Sequence, residues 1–597
     1  MTIYCEIDFP LLPTLSDEER ERYQFTDPVA VHAAYAVSEV VDVLEAVVRA
    51  SDRGHWCVGF VAHEAASAFD AALVTKPLRG RAGEQPDAEP HAQPVAWFAE
   101  FAMRTHGRAE AKGEFVLSEW QSDVNAAEFA DCVESIRRDI RDGRFYQVNY
   151  TTRLAAHFNG DALSFYRALQ AAQPRGYHAF IDAGTFQLLS VSPELFFSMR
   201  DGVVTTQPMK GTAPRGDTPD QDAALADALT HSPKERAENL MIVDLLRNDL
   251  SRISTPHSVE VPHLFSLHAL PSVWSMTSTV RAHLRSGLSL TDVFRALFPC
   301  GSVTGAPKVE AMKAIRHLEG APRGAYCGAI GVVEPGGAAC FNVGIRSVWI
   351  DGEADRREAN FGVGSGITFD STVEGEAAEL VYKTRFVQRA SKPFDLFETL
   401  LLEAGKFGLI ERHLARMASS ARHFRLPYDE SATRAALRAI ATAHPAGQWR
   451  VRLISRADGR VATEVFALTP LPAVRQVCLA ATAVSSADEF LQHKTTRRET
   501  YDRHAPTNGE WDTLLWNERG ELTEFIRANL VLDLNGRRLT PPANSGLLNG
   551  TLRDELLAAG QIHEQILKRA DLANADKIWW VNSLRGQLQV ELPMSKT

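Results

Sequence analysis

Apolar and polar positions recur along this chain with two different periods, and the switches between them mark its elements. Between residues 125 and 143 the side chains Phe129, Cys132, Val133, Ile136 and Ile140 stand at helical spacing. Asn125 precedes them as a cap and Gly143 follows as a stop, so the pattern predicts one helix. Ser232-Pro233 opens a second helix, with the serine as cap and the proline at the first position, where its missing N–H is not needed. Residues 376–387 carry a third helical pattern, residues 396–403 a strand, and residues 403–406 a turn. Residues 530–534 and 537–540 flank Asn535-Gly536, a two-residue hairpin signal. Residues 551–559 predict a short helix with Gly560 just past its end. Strands and helices mix irregularly in both halves and no fixed-period repeat is present, so the class is mixed α+β.

The polar stretch 79–94, which contains prolines, predicts a surface loop. A firmer break falls at RASKPFD, residues 389–395. It divides the chain into a first domain over 1–388, a linker over 389–395 and a second domain over 396–597.

Composition narrows the class. Apolar residues make up 45% and charged residues 23%, as in an ordinary globular protein. The net charge of −11 excludes the broad basic footprint of a nucleic-acid binder. No apolar run reaches the ~18 residues of a membrane helix, and the acidic first twenty residues lack the basic flank and apolar core of a signal peptide. The seven cysteines are odd in number, widely spaced and without CxxC, which favours reduced thiols. A cytoplasmic protein with neither a nucleic-acid nor a membrane partner is expected.

Several segments carry candidate chemistry. TQPMKGTAPRG, residues 206–216, sets Lys210 in a stretch punctuated by proline and glycine, where it is either a solvated turn lysine or, with a depressed pKa, a nucleophile. Glu235 and Glu238 share one helix face, and Glu376 and Glu379 repeat the spacing on a later helix. Such faces usually meet solvent; brought together, they suit Mg2+, which takes one or two carboxylates and keeps water or substrate oxygens elsewhere. GSVTGAPK (301–308) and GVGSG (362–366) read as glycine-rich loops that can present N–H groups to an anion.

Taken in order, these segments resemble the chorismate-utilising enzymes over roughly residues 120–390. The matching stretches are IRDGRFYQVN (140–149), SPELF (192–196), the Lys210 segment, ERAE (235–238) with VDLLRND (243–249), residues 301–308, RGAY (323–326), GIR (344–346), and GSG (364–366) through Lys383. The resemblance implies a two-sheet α/β sandwich that binds chorismate. It implies Glu238 and Glu379 as Mg2+ ligands, with Glu235 and Glu376 close behind. It also implies substrate contacts from Thr212, Thr304, Tyr326, Arg346, Gly364, Ser365, Gly366 and Lys383. Anthranilate synthases of this family usually have a small residue where Lys210 stands. Aminodeoxychorismate synthases have lysine there, as a nucleophile toward C2, with Glu194 in the matching position of general acid/base. The resemblance therefore implies amination of chorismate at C4. One departure is Ser275, where many relatives have histidine. No glutaminase pattern is seen, so a separate glutamine amidotransferase subunit is the expected ammonia source.

In the last third, Lys494 and Glu524 offer a lysine and a carboxylate, the two groups that pyridoxal 5'-phosphate needs. Gly550 and Thr551 at a helix N-terminus suit its phosphate, and Arg416 offers a second phosphate contact or is an exposed helix arginine. With FET (397–399), HLAR (413–416), Asn529, TPP (540–542) and GTLR (550–553), this order resembles the fold-type IV pyridoxal phosphate enzymes, which have two subdomains. Both aminotransferases and aminodeoxychorismate lyase belong to that family. Fusion to a synthase favours the lyase, making 4-aminobenzoate for folate. An aminotransferase, or a catalytically dead binding or dimerisation module, stays open. NSLRG (582–586) is similar to a lyase tail, with Arg585 as a substrate-carboxylate contact. A homodimer through this domain is a further expectation.

Overall fold

The computed structural model describes residues 3–10, 20–78, 93–215, 219–269, 273–353, 356–424, 426–471 and 475–593. The loop expected at 79–94 lies almost wholly outside the described residues. The chain divides into two compact units, Met1–Lys392 and Pro393–Thr597.

Two large sheets build the first unit. In one, the long strand β1 (Gln147–Gly160) pairs antiparallel with a later strand, and in the other a short strand β2 (Met209–Pro214) lies at the edge. β2 pairs with β3 (Val273–His283), and the later partner of β1 is β4 (Glu358–Ile367). The sheets face each other across one apolar layer, to which the first contributes Ile7, Phe9 and Phe25 and the second Phe60, Trp97 and Phe101. Strand Trp56–Val61 shows why they stack. Its Val58 and Phe60 enter this layer, while Cys57 and Val61 enter the next, beside Leu44 and Val47 of helix Val40–Asp52. Each such large apolar side chain contributes ~1.5–3 kcal/mol by leaving water. Helix Ala162–Ala172 covers the far side of the first sheet with Phe165 and Leu169.

The predicted helices are present. Asn125 Oδ1 accepts from Ala127 N and Glu128 N, at 2.9 and 3.0 Å, and Glu128 reaches back to Asn125 N at 3.0 Å. That reciprocal cap starts helix Ala126–Arg141, which buries Phe129, Val133 and Ile136. Helix α1 (Pro233–Ser251) starts at Ser232, whose Oγ accepts from Glu235 N at 3.3 Å. Helix α2 (Val373–Ser391) runs further than its sequence pattern and takes up residues 389–391 of the expected linker. It stops because Lys392 must be extended ahead of Pro393, and its φ and ψ are −144° and 104°.

Two sheets also build the second unit. Strands Lys406–Phe407, Leu396–Glu403, Gln448–Ser455 and Val461–Ala467 form an antiparallel sheet. Its Leu400, Leu402, Val451 and Leu453 pack with Leu414 and Met417 of helix Ile410–Phe424 and Leu437 of helix Glu430–Ala443. The other sheet is mixed and includes the predicted hairpin, Ala528–Leu534 with Arg537–Thr540. Asn535 and Gly536 carry φ of 52° and 71°, the left-handed pair such a turn requires. All seven cysteines are free. Among the described residues no helix is long and apolar enough to cross a membrane.

Candidate functional sites

A cavity of about 300 Å3 lies in the first unit, lined by Glu194, Lys210, Thr212, Tyr326, Arg346, Gly364, Gly366 and Lys383 and by all four glutamates of the two helices. Lys210 is on β2, a strand rather than the irregular stretch its prolines suggested. Its Nζ donates to Ser302 O at 3.1 Å, and its own carbonyl accepts from Asn239 Nδ2 at 3.4 Å. Glu194 is buried. Burial pushes its carboxyl above the usual range, against a hydrogen bond from the Ser302 side chain and the charge of Lys210. A carboxyl whose burial favours the protonated form, within reach of a lysine's charge, has the makings of a general acid.

Residues 362–366 lie inside β4 and do not form a loop. Alternation then turns Ser365 away from the cavity that Gly364 and Gly366 line; its Oγ is buried without a partner among the described residues. β4 keeps β1 on one edge through Ile367, but its pairing with strand Ser347–Asp351 ends at Phe361. Its other edge therefore offers unpaired backbone, and Lys383 Nζ donates to Gly364 O at 2.8 Å. At Gly362 a Cβ would overlap the Tyr326 ring, so glycine there gives Tyr326 its place in the wall. Thr304 is also outside the cavity lining. Its hydroxyl donates to Cys300 O at 3.0 Å and closes the turn Gly301–Val303 on itself.

Arg346 is stacked on Phe386, 5.1 Å from the ring centroid, and donates to Gln173 Oε1. Among the described residues no carboxylate pairs with it, and burial lowers its pKa. A desolvated cation of this kind is suited to a ligand carboxylate. Ser275 is fully buried between Thr212 on β2 and His268 on strand Glu260–Ala269, its register partners, and its Oγ has no partner among the described residues. His268 Nε2 meets Thr277 Oγ1 at 2.8 Å.

All four glutamates line this one cavity, and Glu235, Glu238 and Glu379 feel one another's charge. Among the described residues, no group of three or more His, Cys, Asp or Glu stands close enough to hold a metal ion. Two of the carboxylates have lysine partners: Glu379 pairs with Lys383 at 2.6 Å and Glu238 with Lys234 at 4.0 Å. Burial pushes Glu235 and Glu238 above the ordinary carboxylate range; Lys234 and Lys210 oppose the shift and Glu379 adds to it. Burial would raise Glu379 too, but Lys383 holds it lower. Glu376 Oε2 is buried with no hydrogen-bond partner among the described residues. Oxygen donors only, mutual repulsion and one orphaned carboxylate oxygen fit Mg2+ held by one or two carboxylates.

The second unit gathers Lys494, Glu524, Arg416 and Thr551 by a buried network. Glu398 accepts from Arg416 Nε and Nη2, at 2.8 and 2.6 Å, and meets His413 Nδ1 at 2.7 Å. Burial alone would raise Glu398, but Arg416 and His413 hold it well below the carboxylate range. His413 Nε2 meets Thr551 Oγ1 at 3.3 Å, and Arg416 Nη1 donates to Asn549 O at 3.0 Å. Arg416 is thus fixed beside the open N-terminus of helix Thr551–Ala558, a ready phosphate seat. At Gly550 a Cβ would overlap Asn529 Oδ1. Lys494 is lowered to about 8 by burial, then by Arg416, with Glu398 opposing. Glu524 is raised to about 7 by burial, against a hydrogen bond from Tyr501 OH at 2.8 Å and one from Leu548 N at 3.1 Å.

Sequence reasoning gave no role to Ser302, Asn239, Glu398, His413 or Tyr501. Ser302, Glu398 and His413 lie within the motifs GSVTGAPK, FET and HLAR, which is a signal; Asn239 and Tyr501 give none. Arg585 has no recorded contact with the Lys494 cluster among the described residues and donates to Thr469 O.

Comparison with known proteins assigns both units. Residues 15–389 match the chorismate binding enzyme family, and residues 395–592 match class IV aminotransferases. The chain is 39% identical over 282 residues to aminodeoxychorismate synthase component 1 of Salmonella typhimurium, covering 47% of this chain and 61% of that protein. It is 38% identical over 257 residues to anthranilate synthase component 1 of Methanothermobacter marburgensis, covering 43% of this chain and 55% of that protein. The chain thus spans less than two-thirds of the curated relatives it matches. A Bacillus anthracis structure assigned as a 2,3-dihydroxybenzoate-specific isochorismate synthase superposes with a TM-score of 0.51 at 19% identity, over 65% of this chain and 95% of that one, and shows the fold alone.

Proposed function

Since this chain belongs to the chorismate binding enzymes and continues into a class IV aminotransferase segment, we propose that it converts chorismate to 4-aminobenzoate in two steps. The observation that carries the reading is Lys210 in the wall of the first cavity together with Glu194. Relatives with both activities align about equally well, so the side chain at this position discriminates where overall identity does not.

In the first step Lys210 Nζ attacks C2 of chorismate, and the C4 hydroxyl leaves as water with the Glu194 proton. Ammonia then adds at C4 and Lys210 departs. Arg346 grips one substrate carboxylate and the outer edge of β4 approaches another. Glu238 and Glu379, with Glu235 and Glu376 around them, are the residues that would hold Mg2+, which supplies charge neutralisation at the substrate carboxylate. A separate glutamine amidotransferase provides ammonia.

For the second step, Lys494, Glu524, Arg416, Gly550 and Thr551 are the residues that would hold pyridoxal phosphate, with Lys494 as its covalent anchor, Glu524 as the carboxylate for its ring nitrogen and the other three for its phosphate. The cofactor, when bound, supplies the electron sink for elimination. Lys494 takes the substrate's C4 proton, the C3–O bond breaks to release enolpyruvate, which regains a proton to become pyruvate, and the ring becomes aromatic. In the cofactor-free chain burial already favours the neutral amine at Lys494, the form that task needs. The setting is cytoplasmic, with two copies associating through the second unit.

The deciding experiment incubates the purified protein with chorismate, Mg2+, ammonium and pyridoxal phosphate. Formation of 4-aminobenzoate and pyruvate is expected. Anthranilate as product would reject the role of Lys210, and accumulation of aminodeoxychorismate would reject the lyase.

A further inference from the structure

The antiparallel sheet of the second unit has one face under its helices and one face turned away from them. On the second face the register sets Phe397 and Thr399 beside Ile454 and Arg452, and places Arg450, Glu464 and Phe466 on the same side. Lys494 Nζ lies 4.8 Å from the Phe397 ring centroid, and Arg452 Cζ lies 4.9 Å from the same ring. Arg450 is the next residue along this face, about 7 Å further at two strand rises, over the Phe466 ring at 4.5 Å. Arg585 arrives from the other sheet's last hairpin, donates to Thr469 O and feels the Arg450 charge.

Three guanidinium groups therefore run outward from Lys494. Glu464 meets Arg452 at 3.6 Å and is itself 44% exposed. Arg452 Nε is buried and has no partner among the described residues. Gathering like charges beside a lysine is unfavourable unless an anion completes the set. One carboxylate, such as an ordinary amino acid carries, needs one arginine fork.

We infer that Arg452, with Arg450 and Arg585 beyond it, forms a carboxylate-recognition face, and that the second unit takes an amine bearing two carboxylates. Arg452 engages the carboxylate nearer the reacting amine, and Arg450 and Arg585 the farther one. This rests on the lyase reading, whose substrate has a ring carboxylate and an enolpyruvyl carboxylate; it names the residues that tell that substrate from a monocarboxylic amino acid.

The test titrates the full chain, loaded with pyridoxal phosphate, with two unreactive ligands: the enolpyruvyl ether of 3-hydroxybenzoate, with two carboxylates, and benzoate, with one. Binding is read through the cofactor's visible absorbance, because the first unit has no such chromophore. The wild type should bind the dianion about tenfold or more tightly than benzoate. Arg452→Gln should lose most of that preference, Arg450→Gln part of it, and Arg452→Lys should keep some through its charge. Equal binding of both ligands by the wild type overturns the inference, as does an unchanged preference in Arg452→Gln or an equal weakening of both ligands, which a merely structural arginine would give. Retained cofactor absorbance identifies variants that have folded, and Arg450→Gln decides if Arg452→Gln does not fold. Pyruvate release from aminodeoxychorismate by the wild type is scored separately. Its absence rejects the lyase reading, while the ratio of the two affinities still decides the arginine face.

Discussion

Lys210 Nζ donates to the backbone carbonyl of Ser302 at 3.1 Å, and the Ser302 side chain hydrogen-bonds Glu194. The proposed nucleophile and the proposed acid are thus tied to one residue of the segment 301–308, which lies some ninety residues or more further along the chain. Lys210→Ala removes the amine and leaves β2 its register. It should abolish C4 amination without changing the thermal midpoint. Residual direct addition at C2, giving anthranilate, agrees with the assignment; undiminished 4-aminobenzoate output would refute the covalent route.

The glutamates of α1 and α2 give a second prediction. Glu238→Gln and Glu379→Gln each remove one negative charge from a cluster whose members already repel one another. Synthase activity should fall and the Mg2+ concentration for half-maximal rate should rise, while pyruvate release from supplied aminodeoxychorismate stays constant. An unchanged Mg2+ titration in both variants would mark the glutamates as solvated.

Arg323 is a strut for the same cavity. It is 4% exposed, pairs with Glu319 at 2.6 Å, and donates to Val303 O and Asn149 O at 2.7 Å each. Arg323→Met leaves Glu319 buried without its cation, which costs about 3–5 kcal/mol. The first unit should unfold at lower denaturant, and the segment holding Ser302 should loosen, lowering the synthase rate. The cofactor spectrum of the second unit should be unaltered. A denaturation midpoint equal to wild type would show that Arg323 bears no such load.

How far the sequence reached depends on which interactions are local. Caps at Asn125 and Ser232 and the turn at Asn535-Gly536 involve neighbours a few residues apart, and they were legible. Ser365 was misplaced because glycines around it read as a loop, whereas they lie in a strand whose side chains alternate. Which face meets the cavity is set by the partner strand, not by the segment itself. Spacing put Glu235 with Glu238 and Glu376 with Glu379 on shared helix faces, and the fold turns both faces to one cavity; the pairing of Glu238 with Lys234 and of Glu379 with Lys383 is something no spacing rule conveys. Tyr501 OH reaches Glu524 across twenty-three residues, and only the fold brings them together.

Burial of Lys494 also sets a pH dependence. Its folded pKa is about 8 against an ordinary 10.5. Between these values the unfolded chain binds more protons, so stability of the cofactor-free protein rises with pH there. Below about 8 the full penalty applies, on the order of 3 kcal/mol. The difference in unfolding free energy between wild type and Lys494→Met should therefore shrink by about that amount from pH 8 to 10.5. A constant difference over that window would show that Lys494 is not desolvated.

The last prediction asks whether the second unit is a working lyase. On the proposed reading Lys494 holds the cofactor, since it is buried within reach of the charges of Glu524 and Arg416. Lys494→Ala should lose the visible absorbance of bound pyridoxal phosphate. The first unit should still turn over, because Lys210 and Glu194 need no such cofactor. The variant should therefore accumulate aminodeoxychorismate from chorismate and ammonia and release neither pyruvate nor 4-aminobenzoate. Adding wild-type second-step activity in trans should convert the accumulated material, which confirms that the block lies after amination. Borohydride reduction of the loaded wild type, followed by peptide mapping, gives an independent check on the attachment point. A label on a lysine other than Lys494 would overturn the assignment, and enzymatic pyruvate release by the variant would sink the mechanism.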